Sequence, residues 1–209
     1  MAAQFERSVE RWRKPLEKLA DWVPLDFLLA WVDKESNGLP HVVSSIGERG
    51  LFQVHKDEVP YLKLSEAEFQ KLTKDTALAL KTGVKQAKLY ANFSKKFLAE
   101  VRVEWHGQDF WKLVKLHHAA FAMPRYTLLA FKREHGRGPA SWDELYKFAT
   151  KMAAEKKDLI PDKPKFSARL RGLTAKTFKN ADTVGSVVPA IAATDLPALR
   201  TFFRLLAVA

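Results

Sequence analysis

Glu35 stands at the end of a run of apolar residues, Phe27-Leu28-Leu29-Ala30-Trp31-Val32, followed by Asp33-Lys34-Glu35-Ser36. The next stretch, Ser44-Ser45-Ile46-Gly47-Glu48-Arg49-Gly50-Leu51-Phe52-Gln53, is punctuated by glycine. A helix that is apolar nearly all round is buried, so it delivers its last charged group to the edge of a core. Burial penalises the charged form of a carboxyl, so a glutamate placed there is expected to hold its proton towards neutral pH and act as a general acid. The glycines let the returning backbone approach closely, and Ser44 and Gln53 add polar groups that could orient a ligand. The competing reading of Glu35 is a helix-end carboxylate in water.

The other chemistry-bearing residues are less pointed. The chain has no cysteine, which excludes thiolate nucleophiles, Cys-ligated metals and disulfides. Adjacent histidines on a helix point about 100° apart, so His117 and His118 cannot share one metal ion. His41, His55, His106 and His135 are scattered, and no metal site is expected. One of the adjacent pair could instead face a cleft. Asp57 and Glu58 follow Gln53 closely enough to supply a second carboxylate, or to be a solvated loop. Trp31 reads as core, and Tyr126 as core or surface unless its helix lines the cleft.

The elements that must hold these residues are helical. Phe5, Val9, Trp12, Leu16 and Leu19 form one apolar stripe, predicting a helix over 2–20. Pro24 opens the next, from Leu25 to about Ser36. Residues 37–64 lack a helical period and read as a loop region with a small hairpin. Ser65-Glu66-Ala67-Glu68 is a capping box, and Asp75 caps a long helix that breaks at Trp105-His106-Gly107. Helices over 109–122 and 124–135 follow, and Ser141-Trp142-Asp143-Glu144 opens one more, to about Glu155. Lys156–Lys165, with two prolines and four lysines, reads as a linker. Asp195–Ala209 reads as a final apolar helix. The expected class is mainly α with a small irregular or β insertion, divided into a domain at 1–155 and a basic helical extension at 156–209.

Composition bounds the function. The 209 residues carry 35 Lys+Arg against 24 Asp+Glu, a net charge of +11, with 47% hydrophobic residues. That is enough apolar content for a core and argues against wholesale disorder. The charged start, Met1-Ala2-Ala3-Gln4-Phe5-Glu6-Arg7, has no apolar segment of a secretory signal, and the uncharged run Thr183–Thr194 is too short to span a bilayer. A soluble protein is expected. The basic zones at Lys163–Arg171 and Lys176–Lys179 read as a solvated face or as a patch for an anionic envelope polymer, a membrane surface or DNA. Nothing beyond charge supports a nucleic-acid reading.

Glu35-Ser36, then Ser44-x-x-Gly47-x-x-Gly50-Leu51-Phe52-Gln53, resembles the lytic transglycosylases of the soluble-lytic-murein type, relatives of goose-type lysozyme. Their pattern is a helix ending in Glu-Ser, then Ser-x-x-Gly-Ala-x-Gly-Leu-Met-Gln. The resemblance covers residues 24–54, and more loosely the helices out to about 130. It implies a lysozyme-like domain that cleaves the β-1,4 bond between N-acetylmuramic acid and N-acetylglucosamine in peptidoglycan. Glu35 would protonate the glycosidic oxygen and then, as a base, help the muramoyl 6-hydroxyl close a 1,6-anhydro ring, with no metal or cofactor. Ser36, Ser44, Phe52, Gln53 and His118 are the implied substrate contacts. Glu48 replaces the usual alanine, Phe52 the methionine, Lys56 the proline after the glutamine, and Ala79 the asparagine that precedes Gly83. The tyrosine motif near the acid is absent, its nearest equivalent being Leu116-His117-His118-Ala119-Ala120. A goose-type hydrolase using Asp57 or Glu58, and a non-enzymatic particle component that only binds glycan, remain open. A phage endolysin or virion protein would reach the wall without a secretory signal.

Overall fold

The computed structural model describes residues 4–155 and 176–188, and it is mainly helical. The chain opens with two short helices, α1 (Arg7–Glu10) and α2 (Arg13–Glu17), where the stripe predicts one. Pro15 explains the break, because it has no N–H to return to the Arg11 carbonyl. The stripe still works as one face: Val9 and Leu16 are buried, with Phe5 and Trp12 packed beside them.

Helix α3 (Leu25–Ser36) is sheathed by apolar neighbours, and Phe27 to Val32 are all buried. It ends at Asn37, which takes a left-handed conformation (φ 50°). The following Gly38 carbonyl accepts from Arg11 Nη2 at 2.7 Å and from Trp12 Nε1 at 2.9 Å. The N-terminal pieces therefore clamp the end of the helix that carries Glu35.

Residues 37–64 contain isolated bridges, Val43 with Arg49 and Arg49 with Val54, rather than a regular hairpin. The region also holds a 3-10 turn, Lys56–Glu58, and a short helix α4 (Val59–Leu62), neither legible from periodicity. Gly50 has φ 74°, and a Cβ there would lie 2.6 Å from the Leu72 carbonyl oxygen, so the returning loop requires a glycine. Both halves of the capping box form at Ser65 and Glu68, opening α5 (Glu66–Lys71). Val54, Leu62, Phe69, Leu72 and Ala79 make a small satellite core beneath this layer.

The long helix α6 (Thr76–Glu100) is capped by Asp75, whose carboxylate accepts from Leu78 N at 2.9 Å. It packs most extensively against α7 (Gly107–Ala119). Helices α8 (Met123–His135) and α9 (Trp142–Ala154) complete the main layer. Residues 176–185 form a further helix, α10. Its Phe178, Ala181 and Val184 join the main core, with the Phe178 ring stacked 5.3 Å from Tyr146. Lys112 Nζ ion-pairs with Asp182 at 2.9 Å. The 156–165 linker and the 195–209 helix lie outside the described residues, as does Lys163–Arg171. Among the described residues, no helix is long and apolar enough to cross a membrane.

Candidate functional site

The C-terminal turn of α3 and the last turns of α7 meet at Glu35. Glu35 is 21% exposed, and its carboxylate accepts a hydrogen bond from the ammonium of Lys115, which is only 1% exposed. Lys115 also donates to His118 Nδ1 at 2.7 Å and lies over the Trp31 ring, 4.7 Å from its centre. The spacing is helical: Lys115 and His118 are one turn apart on α7, so both reach the same face. Because Nδ1 accepts from Lys115, the proton of a neutral His118 ring sits on Nε2.

This arrangement changes the expected protonation state. Burial is the largest single influence on the Glu35 carboxyl and pushes its pKa up, as the sequence suggests. The Lys115 charge comes next, and with His118, the Lys115 hydrogen bond and Lys34 it outweighs burial, so the net shift is downward. His118 contributes only when charged. Burial first, and then the neighbouring ammonium, push its pKa down to about 3, so near neutrality it is an uncharged ring. Its 3.6 Å approach to Glu35 is therefore no ion pair, and Lys115 is what keeps Glu35 ionised. The expectation of a protonated Glu35 is corrected on this ground: the sequence shows the burial but not a lysine arriving from α7.

Beside this cluster lies a cleft of about 450 Å³. It is lined by His118, by His55, Asp57 and Glu58 of one turn, and by Glu48, Tyr61, Tyr90 and Phe121, while Glu35 is not among its lining residues. Glu58 is buried in a donor network: Tyr90 Oη at 2.6 Å, Gln86 Nε2 at 2.8 Å, and His55 N at 2.6 Å. Burial, the leading cause, still raises its pKa above the ordinary glutamate value, against those donors. Tyr90 is pushed up as well, by burial and by the Glu58 charge. Asp57 is solvated, so of the two carboxylates weighed for a second role only Glu58 is built into the protein.

The remaining sequence candidates serve the scaffold. Ser36 donates to the carbonyls of Val32 (2.9 Å) and Leu51 (3.0 Å), tying the end of α3 to the returning loop. Ser44 closes the 44–48 turn by accepting from Glu48 N at 3.1 Å. Phe52 is buried against Gly83 and Trp31, so its ring is core rather than a sugar contact. The buried Gln53 amide donates to the Gly50 carbonyl at 2.8 Å; with φ 48° it shapes the loop, and its backbone helps to hold His118. His118 is the member of the histidine pair that faces the cleft. His117 is buried against Phe97, its Nδ1 2.9 Å from Ser94 Oγ. Trp31 is core, and Tyr126 packs beside the core away from the cleft lining.

Lys115 and the Glu58–Gln86–Tyr90 network escape a sequence reading. One signal is present: Lys112, Lys115 and His118 recur every three residues among the apolar Phe110, Trp111, Leu113, Val114 and Leu116, which marks polar groups turned inward. No protein family, curated protein or solved structure matches this chain.

Proposed function

We propose that the chain is a peptidoglycan-cleaving lytic transglycosylase with a lysozyme-like domain, and that Glu35 is its general acid and base. The observation that carries this reading is the position of Glu35: a partly exposed carboxylate at the end of a buried helix, where Ser36 ties the returning Gly50–Gln53 loop to the same helix end through the Leu51 carbonyl. Glu35 takes up a proton, gives it to the glycosidic oxygen as the bond to the anomeric carbon breaks, and then removes the proton of the muramoyl 6-hydroxyl as that oxygen bonds to the anomeric carbon. Protons balance over the cycle, and the product ends are 1,6-anhydro sugars. Lys115 sets where on the pH scale the first step works, since Glu35 must be protonated to begin. His118 takes the place of the missing tyrosine, its neutral ring lining the cleft next to Glu35. An endolysin or virion component would bring this activity to a cell wall.

Glu58 favours a second reading. A buried carboxyl lining the cleft that His118 also lines is what a goose-type hydrolase would use to deliver water, as two-carboxylate inverting glycosidases do. Mass spectrometry of the products released from purified sacculi separates the cases. Anhydro-muramoyl ends are the expected result. Borohydride-reducible muramic ends would make the enzyme a hydrolase with Glu58 as partner. Intact sacculi would leave a glycan-binding particle component.

A further inference from the structure

Six large hydrophobic side chains are exposed among the described residues, and three of them, Ile46, Tyr61 and Phe121, line this one cleft. Tyr61 is 55% exposed and Phe121 48%. They come from different elements, α4 and the turn between α7 and α8, yet their ring centres are 6.0 Å apart with planes inclined by 39°. Phe93 backs both, edge-on to Phe121 at 5.6 Å and to Tyr61 at 6.5 Å, and Tyr90 meets Phe121 at 6.2 Å. Exposing large rings costs hydrophobic free energy, and a braced pair concentrated at a cleft marks a surface built to be covered.

The polar groups decide what covers it. Among the described residues no lysine or arginine lines the cleft, although the chain carries +11, and Glu48 and Asp57 line it together with the rings. Carboxylates accept hydrogen bonds from hydroxyl and amide N–H groups and repel anions. An occupant needs an apolar face for the rings, donors for the carboxylates, and no negative charge of its own.

We infer that Tyr61 and Phe121 form a stacking platform for one uncharged N-acetylhexosamine ring of a β-linked glycan, with its hydroxyl and amide donors turned to Glu48 and Asp57. The axial C–H groups of a pyranose lie on the negative faces of the aromatic rings. In a strand of alternating sugars this places N-acetylglucosamine on the platform and keeps the lactyl-bearing sugar, whose side group carries a carboxylate or a peptide, away from it. The inference rests on the glycan reading of the cleft but not on catalysis by Glu35.

Calorimetric titration of the full chain with chitotetraose, which is neutral, and with a hyaluronan tetrasaccharide, which alternates the same acetamido sugar with an anionic one, tests it. Chitotetraose is expected to bind, and the anionic tetrasaccharide to bind more weakly, most of all at low salt. Tyr61→Ala and Phe121→Ala should each weaken chitotetraose binding roughly tenfold with unchanged melting temperature, whereas Tyr61→Phe, which keeps the ring, should retain it. Unchanged affinity in both alanine variants, or tighter binding of the anionic sugar, would overturn the platform. If the platform holds while sacculi stay intact, catalysis by Glu35 fails and the binding site stands. If sacculi are cleaved with the same KM by the alanine variants, the reverse is true.

Discussion

Lys115 and Glu35, 80 positions apart, meet as an ion pair in which the cation is almost wholly buried and the anion is not. The asymmetry matters. A partly exposed carboxylate is still solvated by water when its partner is removed, but a buried cation that loses its partner has neither solvent nor counter-charge. Each partner is therefore needed to a different degree.

Glu35→Gln removes the proposed acid and base, and general acid–base catalysis is typically worth about 10²–10⁴-fold, so cleavage should fall by at least that much. Sequence reasoning about a lone glutamate in an apolar site predicts unchanged or slightly higher stability. The ion pair reverses that expectation. The variant leaves Lys115 buried with its charge uncompensated, which should cost about 3 kcal/mol, in the range for breaking one side of a buried pair. Glu35→Gln with Lys115→Met should recover much of the loss, and denaturant unfolding of the two variants beside the unsubstituted protein measures it. A fully stable single variant would show that the pair does not form.

Acid should unfold this protein readily, because His117 and His118 are held neutral inside it. Burial pushes both down to about 3 from an ordinary value of 6.5. Between those values the unfolded chain binds protons that the folded one refuses, so stability falls as pH drops from about 6.5 towards 3. Each such histidine contributes a slope of up to about 1.4 kcal/mol per pH unit in that window. His117→Leu should flatten the dependence of unfolding free energy on pH between 6.5 and 4, and an unchanged slope would refute the assignment.

What the sequence discloses here follows from the range of each interaction. The end of α3, the caps at Ser65, Asp75 and Ser141, and the break before Gly107 depend on residues a few positions apart, and they are legible. The split of the first helix was also local, and Pro15 should have signalled it. The protonation of Glu35 was not legible, because its controlling group arrives from α7. Phe52 shows the same limit, since its place in the motif says nothing of which wall it faces. The 3-10 turn at Lys56–Glu58 has no period to show it: a capping box between His55 and Glu58 closes it, and Gln86 and Tyr90 of α6 hold the Glu58 carboxylate.

Gly83 is where α6 lets the loop close. A Cβ at that position would lie 2.0 Å from the Phe52 ring, which has nowhere to move within the core around Trp31. Gly83→Ala should therefore destabilise the protein by about 1–3 kcal/mol, the usual range for overpacking, despite the better helix propensity of alanine. Pairing it with Phe52→Leu should return part of the loss. A more stable Gly83→Ala protein would place Phe52 elsewhere.

The last prediction concerns the pH dependence of cleavage. Glu35 starts the reaction only when protonated, and Lys115 is the group that lowers its pKa. Activity should therefore decline as pH rises, along a limb set by the ion pair. In Lys115→Met the opposing charge is gone while the burial remains, and burial alone raises the pKa. The sign is fixed: the alkaline limb of kcat/KM must move to higher pH, by about one unit for each 1.4 kcal/mol of lost interaction. A merely structural lysine would lower activity at every pH through loss of folded protein and leave the limb in place. Measuring kcat/KM on soluble glycan strands from pH 3 to 8, in samples shown to be folded at each pH by circular dichroism, distinguishes the two. A limb that stays fixed, or moves down, would remove Lys115 from the chemistry and require another proton source for the leaving oxygen.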